Sequence, residues 1–155
     1  MVASGTGARA GALAQDLYGI LTHLCLNAPR NRRRPGDLKE IEYLTLALLQ
    51  EHQMMIVGDI QRLLGVLPAQ MSRVIRALEM RERPLVTCRI NPQDKRKIDV
   101  CLTPAGEKAL QDYQATRVHR ITELVSDLSD AEQEDLRNLL QRLQKKMPGP
   151  QGRHS

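Results

Sequence analysis

Between Leu67 and Leu102 the chain spaces its arginines and lysines in a way that suits an anionic polymer. On a helix advancing about 100° per residue, Met71, Val74, Ile75 and Leu78 fall on one side, while Ala69, Arg73, Arg76 and Met80 fall on the other. One face can be core and the opposite one carries cations, with Gln70 and Ser72 on its flanks. Downstream, a polar turn gathers Asp94, Lys95, Arg96 and Lys97. From Arg62 to Lys97 nine Lys or Arg stand against three acids (Glu79, Glu82, Asp94), so this segment's net charge of +6 exceeds the +5 of the whole chain. Cations on phosphate supply sequence-independent affinity for nucleic acid. An arginine that reaches guanine O6 and N7 adds discrimination of about 1 to 3 kcal/mol. Arg73 is the first candidate for base readout and Arg76 the second, with phosphate contact as the plainer alternative for each.

The elements that must position these side chains follow from local pattern. Two strand-like runs, Leu85 to Ile90 and Ile98 to Leu102, flank the polar turn and form a hairpin. Ile60, Leu63 and Leu64 make one face of a preceding helix that Gly65 stops, and Pro68 opens the next at its first position, where a missing N–H costs nothing. Two helices joined by a tight turn, then a basic hairpin, make a winged helix-turn-helix. Met54 to Val57 is a short apolar link, a candidate small strand beside the wing.

Asp94-Lys95-Arg96 followed by Val100, Leu102-Thr103 and Gly106 resembles the wing signature of the MarR (multiple-antibiotic-resistance regulator) family: D-x-R, a strand, then L-T-x-x-G. The resemblance extends more weakly over residues 13 to 147. It implies that Arg96 enters the minor groove and that Asp94 orients the wing tip; a carboxylate two residues from an arginine can fix its side chain. It also implies a twofold dimer built by the terminal helices, with two recognition helices about 34 Å apart on successive major grooves of a palindromic site. A small effector, commonly a phenolic or other lipophilic anion, is implied between the lobes, with Tyr18, His23, Tyr43 and Arg117 as its candidate lining. Two departures stand out. Arg81-Glu82-Arg83-Pro84 is about two residues longer than the family's usual connection and replaces a Gly there, and Leu67 occupies the usual polar cap of the recognition helix.

Taken in order, Met1 to Ala12 is small and Gly-rich, and reads as a flexible arm. Leu13, Leu17, Ile20, Leu21 and Leu24 recur at helical spacing and define helix 1 over about 13–28, although Gly19 weakens it. Arg30 to Gly36 is a loop whose four arginines are a solvated run or a second phosphate contact. Asp37 with Glu40 gives a capping-box pattern for helix 2, whose apolar face is Ile41, Leu44, Leu48 and Leu49. Thr103 and Pro104 open helix 5, which runs to about Leu128 with a stripe of Leu110, Tyr113, Arg117, Ile121, Leu124 and Leu128 that is polar in the middle. Ser129 and Glu132 box the start of helix 6, with Leu136, Leu139, Leu140, Leu143 and Met147 as its stripe. Pro148 to Ser155 is a flexible tail. The predicted organisation is therefore one domain over 13–147, mainly α with a small β-hairpin wing. The winged helix-turn-helix occupies about 37–102, and dimerisation helices about 13–28 and 103–147. The terminal stripes exceed what one small winged domain can bury.

Register decides the meaning of Cys88 and Cys101 on the wing strands. If paired positions sum to 188, Ile90 faces Ile98, Cys88 faces Val100, Val86 faces Leu102 and Arg89 faces Asp99. A sum of 189 would set the cysteines face to face but mix apolar with polar partners. The first register is predicted, which argues against a disulfide. Cys25 on helix 1 is the redox candidate, since some peroxide-sensing relatives carry a reactive cysteine there near tyrosines of helix 2, and Tyr43 is available. A buried cysteine acting as a small hydrophobe is the blander alternative.

Composition narrows the classes. No Phe, no Trp and three Tyr leave an aliphatic core and argue against an aromatic cage or base-stacking platform. Three cysteines do not make a disulfide framework, and no apolar run approaches a membrane span or signal core, so a cytoplasmic, reduced protein is expected. His23, His52, His119 and His154 lack metal-ligand spacing, and no nucleophile-base arrangement or phosphate-cradling Gly loop is discernible. No metal, cofactor or enzymatic activity is predicted. The expected function is a sequence-specific, homodimeric DNA-binding regulator, more a repressor than an activator. Its partners are double-stranded DNA, a second copy of the chain and, through the resemblance, a small effector. The competing classes are a winged-helix protein-interaction adaptor and a cysteine-based redox regulator.

Overall fold

The computed structural model describes residues 3–27 and 37–149. The chain divides into two compact units, Met1–Asp37 and Leu38–Ser155. The first contains one helix, α1 (Ala3–Leu26). It begins ten residues earlier than the apolar pattern predicts, so positions 3–12 are helical rather than a loose arm. No proline interrupts the extension, and alanines at 3, 8, 10 and 12 offset part of the cost of glycines at 5, 7 and 11 once the apolar segment has nucleated the helix. Leu13, Leu17, Ile20, Leu21 and Leu26 are exposed along α1. The arginine-rich stretch from Arg30 to Gly36 lies outside the described residues, as does the tail from residue 150.

The second unit runs α2 (Glu40–His52), β1 (Met54–Ile56), α3 (Val57–Leu64), α4 (Pro68–Glu79), β2 (Val86–Ile90), β3 (Ile98–Leu102), α5 (Pro104–Ser126) and α6 (Asp130–Lys146). The strands form an antiparallel sheet in the order β1-β3-β2. The wing register is the predicted one: Val86 pairs with Leu102, Cys88 with Val100, Arg89 with Asp99 and Ile90 with Ile98. The short strand β1 pairs Met54 with Cys101 and Met55 with Val100, which anchors the wing to the helical layer. The core is aliphatic. Leu46 and Leu49 of α2, Ile60 of α3, Met71 and Leu78 of α4, Val86 and Val100 of the sheet, and Leu110 of α5 are fully buried.

Helix boundaries in the second unit follow local chemistry with two corrections. Gly65, in the left-handed region at φ 64°, caps α3 and donates its N–H to the Arg62 carbonyl, while Val66 N–H reaches Gln61 O. The side chain of Gln61 also donates to Val66 O at 2.9 Å, pinning the turn of the helix-turn-helix. Thr103 and Ser129 cap α5 and α6 as predicted, Ser129 with its Glu132 box partner. The predicted Asp37–Glu40 box at α2 is not formed. The helix starts at Glu40 with Lys39 at the cap position, and the Glu42 carboxylate accepts the Lys39 N–H at 2.9 Å. A tertiary partner described below holds Glu42 in place, and that shifts the boundary. Helix α5 stops at Ser126, two residues short of the predicted end, and Leu128 N–H closes the last turn on Val125 O.

Only Gly106 and Leu110 of α5 are buried, and no residue of α6 is. Val118, Ile121 and Leu124 on α5, and Leu139, Leu140, Leu143 and Met147 on α6, are exposed. Each such side chain would gain about 1.5 to 3 kcal/mol by full burial.

Candidate nucleic-acid interface

Helix α4 presents two chemically distinct faces. Met71, Val74, Ile75 and Leu78 are buried, whereas Gln70, Ser72, Arg73 and Arg76 are exposed, as the spacing predicts. Among the described residues neither Arg73 nor Arg76 has an ion-pair partner. Their charge is therefore not neutralised by an ion pair among the described residues. On the preceding helix Arg62 pairs with Asp59 and stays exposed.

The wing tip is a built structure. Asn91 Oδ1 accepts the backbone N–H groups of Gln93 and Asp94, both at 2.9 Å, and Asn91 Nδ2 donates to the buried Asp99 carboxylate at 2.9 Å. Backbone bonds from Asn91 N–H to Lys97 O and from Lys97 N–H to Asp94 O close the turn. On this frame Asp94 Oδ1 accepts both the Arg96 backbone N–H at 3.1 Å and Arg96 Nε at 3.2 Å. These two donors, the backbone one first, hold the Asp94 carboxyl below its ordinary pKa. The Arg96 side chain remains 91% exposed. An arginine tethered at Nε and open at its outer nitrogens is preorganised to meet phosphate or a groove floor, with Lys95 and Lys97 exposed beside it. Asn91 and Asp99 were not singled out by sequence reasoning, although Asn before Pro is a recognisable turn signal.

The L-T-x-x-G signature has a physical meaning at the wing's base. Thr103 Oγ1 donates to Pro84 O at 2.7 Å and accepts the Gly106 N–H at 3.0 Å, and Thr103 N–H donates to Leu85 O at 3.1 Å. A Cβ on Gly106 would overlap the Leu85 carbonyl oxygen. Helix α5, β2 and the end of α4 are thereby clamped together, since Leu85 N–H in turn donates to Leu78 O at 3.0 Å.

Residues 38–98 match the family model for the MarR family. Over those residues the chain is similar to the MarR family. Its fold is a winged helix like that of the solved structures that follow. The transcriptional regulator Tm0710 of Thermotoga maritima is similar at a TM-score of 0.70 and 19% identity, over 87% of this chain and 93% of that one. A mutant MepR of Staphylococcus aureus bound to an oligodeoxyribonucleotide gives a TM-score of 0.58 and 21% identity, over 87% and 98%. BpsR of Bordetella bronchiseptica, whose DNA binding is regulated by 6-hydroxynicotinic acid, gives 0.52 and 21%, over 88% and 98%. Among curated proteins no sequence matches the chain.

The remaining candidate residues divide between the two units. Tyr18, His23 and Cys25 lie exposed on α1. Tyr43 and Arg117 belong to the second unit and meet through Tyr113, which sequence reasoning placed only in the α5 stripe. The rings of Tyr43 and Tyr113 stack at 4.4 Å, and Arg117 sits over Tyr113 at 4.9 Å while donating to its hydroxyl at 2.6 Å. Burial raises the Tyr113 pKa, with Arg117 opposing the shift. Cys88 and Cys101 are free thiols, and burial together with nearby Glu79 pushes Cys88 up to about 11. No cluster of three or more His, Cys, Asp or Glu residues suited to a metal occurs among the described residues.

Proposed function

We propose that this chain is a sequence-specific DNA-binding transcriptional regulator of the MarR family, acting as a homodimeric repressor on a palindromic operator. The observation that carries the proposal is the Arg96 side chain, tethered by Asp94 yet exposed, on the same module as an α4 face of Gln70, Ser72, Arg73 and Arg76. In this reading α4 enters the major groove with Arg73 and Arg76 toward base edges or phosphates, and the wing reaches the adjacent minor groove or backbone. The exposed apolar stripes of α1, α5 and α6 favour a second copy of the chain as their cover, because isolated surface helices rarely leave so many leucines in water. Two linked modules then require a twofold site.

A small anionic effector is a further part of the proposal. The Tyr43–Tyr113 stack topped by Arg117 combines an apolar surface with a cation, which suits an aromatic anion. Differential affinity for two arrangements of the dimer would shift the spacing of the α4 helices and weaken operator binding. None of the proposed steps calls for catalysis. Among the described residues no helix is long and apolar enough to cross a membrane, and a cytoplasmic site of action fits a DNA-binding role.

The test is selection of duplexes from a random pool by the full chain, followed by measurement of stoichiometry on the winner. Enrichment of an inverted repeat bound by two chains supports the proposal. A pool that stays random, with binding as weak to DNA as to heparin-blocked beads, refutes it and favours an adaptor that binds protein.

A further inference from the structure

Glu42 is a buried carboxylate that the DNA-binding face does not use. Its side chain is 5% exposed, and its partner Arg81, 23% exposed, donates from Nη2 to Glu42 Oε2 at 2.9 Å. The same oxygen accepts the Lys39 N–H at the start of α2. Arg81 lies two residues beyond the end of α4 and begins the connection to β2. One carboxylate thus joins the first turn of α2 to the exit of the recognition helix, across 39 residues of sequence. The far end of the connection is separately fixed by Thr103 on Pro84 O and Leu85 on Leu78 O.

We propose that Arg81 and Glu42 are positioning residues that set the roll of α4, and hence where Arg73 and Arg76 point; this rests on the regulator reading above. The physical case is that a buried ion pair adds little net stability over apolar residues of similar volume, while its directional bonds specify geometry. The buried face of α4 consists of Met71, Val74, Ile75 and Leu78, aliphatic contacts that are non-directional and tolerate small rotations. A guanidinium lies roughly 9 Å from its helix axis, so a roll of about 20° displaces it by about 3 Å, which exceeds the tolerance of a bidentate hydrogen bond.

The experiment uses the full chain, the duplex it selects from a random pool, and a scrambled duplex of the same length. The central variant combines Glu42→Met with Arg81→Met, which preserves volume; folding is followed by circular dichroism and urea unfolding. The expected result is a folded protein whose affinity for scrambled DNA changes by less than about twofold while its preference for the selected duplex falls about tenfold, the loss of one good base contact. Arg81→Lys, which keeps the charge, should recover most of that preference. A folded double variant with wild-type preference overturns the proposal, and so does an equal loss on both duplexes. Should the double variant not fold, Arg81→Met alone with unchanged preference overturns it instead. Wild-type protein without any preference would defeat the regulator reading itself, and that outcome is read on the wild type alone.

Discussion

Gly106→Ala tests whether the clamp at the base of the wing is as tight as its geometry indicates. Gly106 is the third residue of α5, where alanine is ordinarily the better helix former by about 1 kcal/mol. Space works the other way. The added Cβ would overlap Leu85 O and approach Leu102 Cδ1 to 2.7 Å. The leucine side chain can yield, but the carbonyl cannot readily do so, because Leu85 is buried, its oxygen accepts Thr103 N–H and its own N–H is bonded to Leu78 O. Overpacking against a fixed group costs about 3 kcal/mol, the upper part of the usual range. Less the propensity gain, the net destabilisation is about 2 kcal/mol. With a urea slope of about 2 kcal/mol per molar, the unfolding midpoint should fall by about 1 M. Gly11→Ala, where no atom lies within 4 Å of the new Cβ, is the control and should leave the midpoint unchanged or raise it. Equal or greater stability of Gly106→Ala would refute the claim that α5 and β2 are held in backbone contact there.

Other consequences are as specific. Because Arg96 depresses the Asp94 pKa, its contribution is complete above the unfolded value of 3.8 and is lost as pH falls through the lower folded value. An NMR titration should therefore place the Asp94 carboxyl midpoint below 3.8, and a midpoint at or above that value would contradict the tether. Cys88, pushed from 9.0 up to about 11, should react with iodoacetamide near neutral pH about 100-fold more slowly in the folded chain than in urea, in proportion to its thiolate fraction. Gln53 alone joins α2 to β1 and sits at φ 64°. Gln53→Gly should then raise stability by about 1 kcal/mol through relief of strain, measured by urea unfolding.

What could be read in advance was what local pattern dictates. The α4 faces follow from four aliphatic residues at helical spacing, and the wing register from keeping Val86, Cys88, Val100 and Leu102 on one side. Caps at Gly65, Pro68, Thr103 and Ser129 depend on one residue and its near neighbours. Features that depend on partners distant in sequence stayed hidden. Nothing near Glu42 announces Arg81, so the Asp37–Glu40 box looked sufficient. Tyr113 reads as stripe until Tyr43 stacks on it, and Gly106 reads as a motif letter until Leu85 O is seen against it. The start of α1 is not legible in the sequence, because glycines at 5, 7 and 11 disfavour a helix there. On α4 and the wing, exposure of Arg73 and Arg76 is legible in the sequence, whereas the Asn91–Asp99 scaffold beneath Arg96 is not.

If Arg96 is a preorganised DNA contact, its loss must show in the salt dependence of binding. Affinity of wild type and Arg96→Ala for the selected and scrambled duplexes would be measured across a salt series. Arg96→Ala should bind both duplexes more weakly, with a log–log slope shallower by about 1 per wing engaged. A slope and affinity indistinguishable from wild type would contradict it.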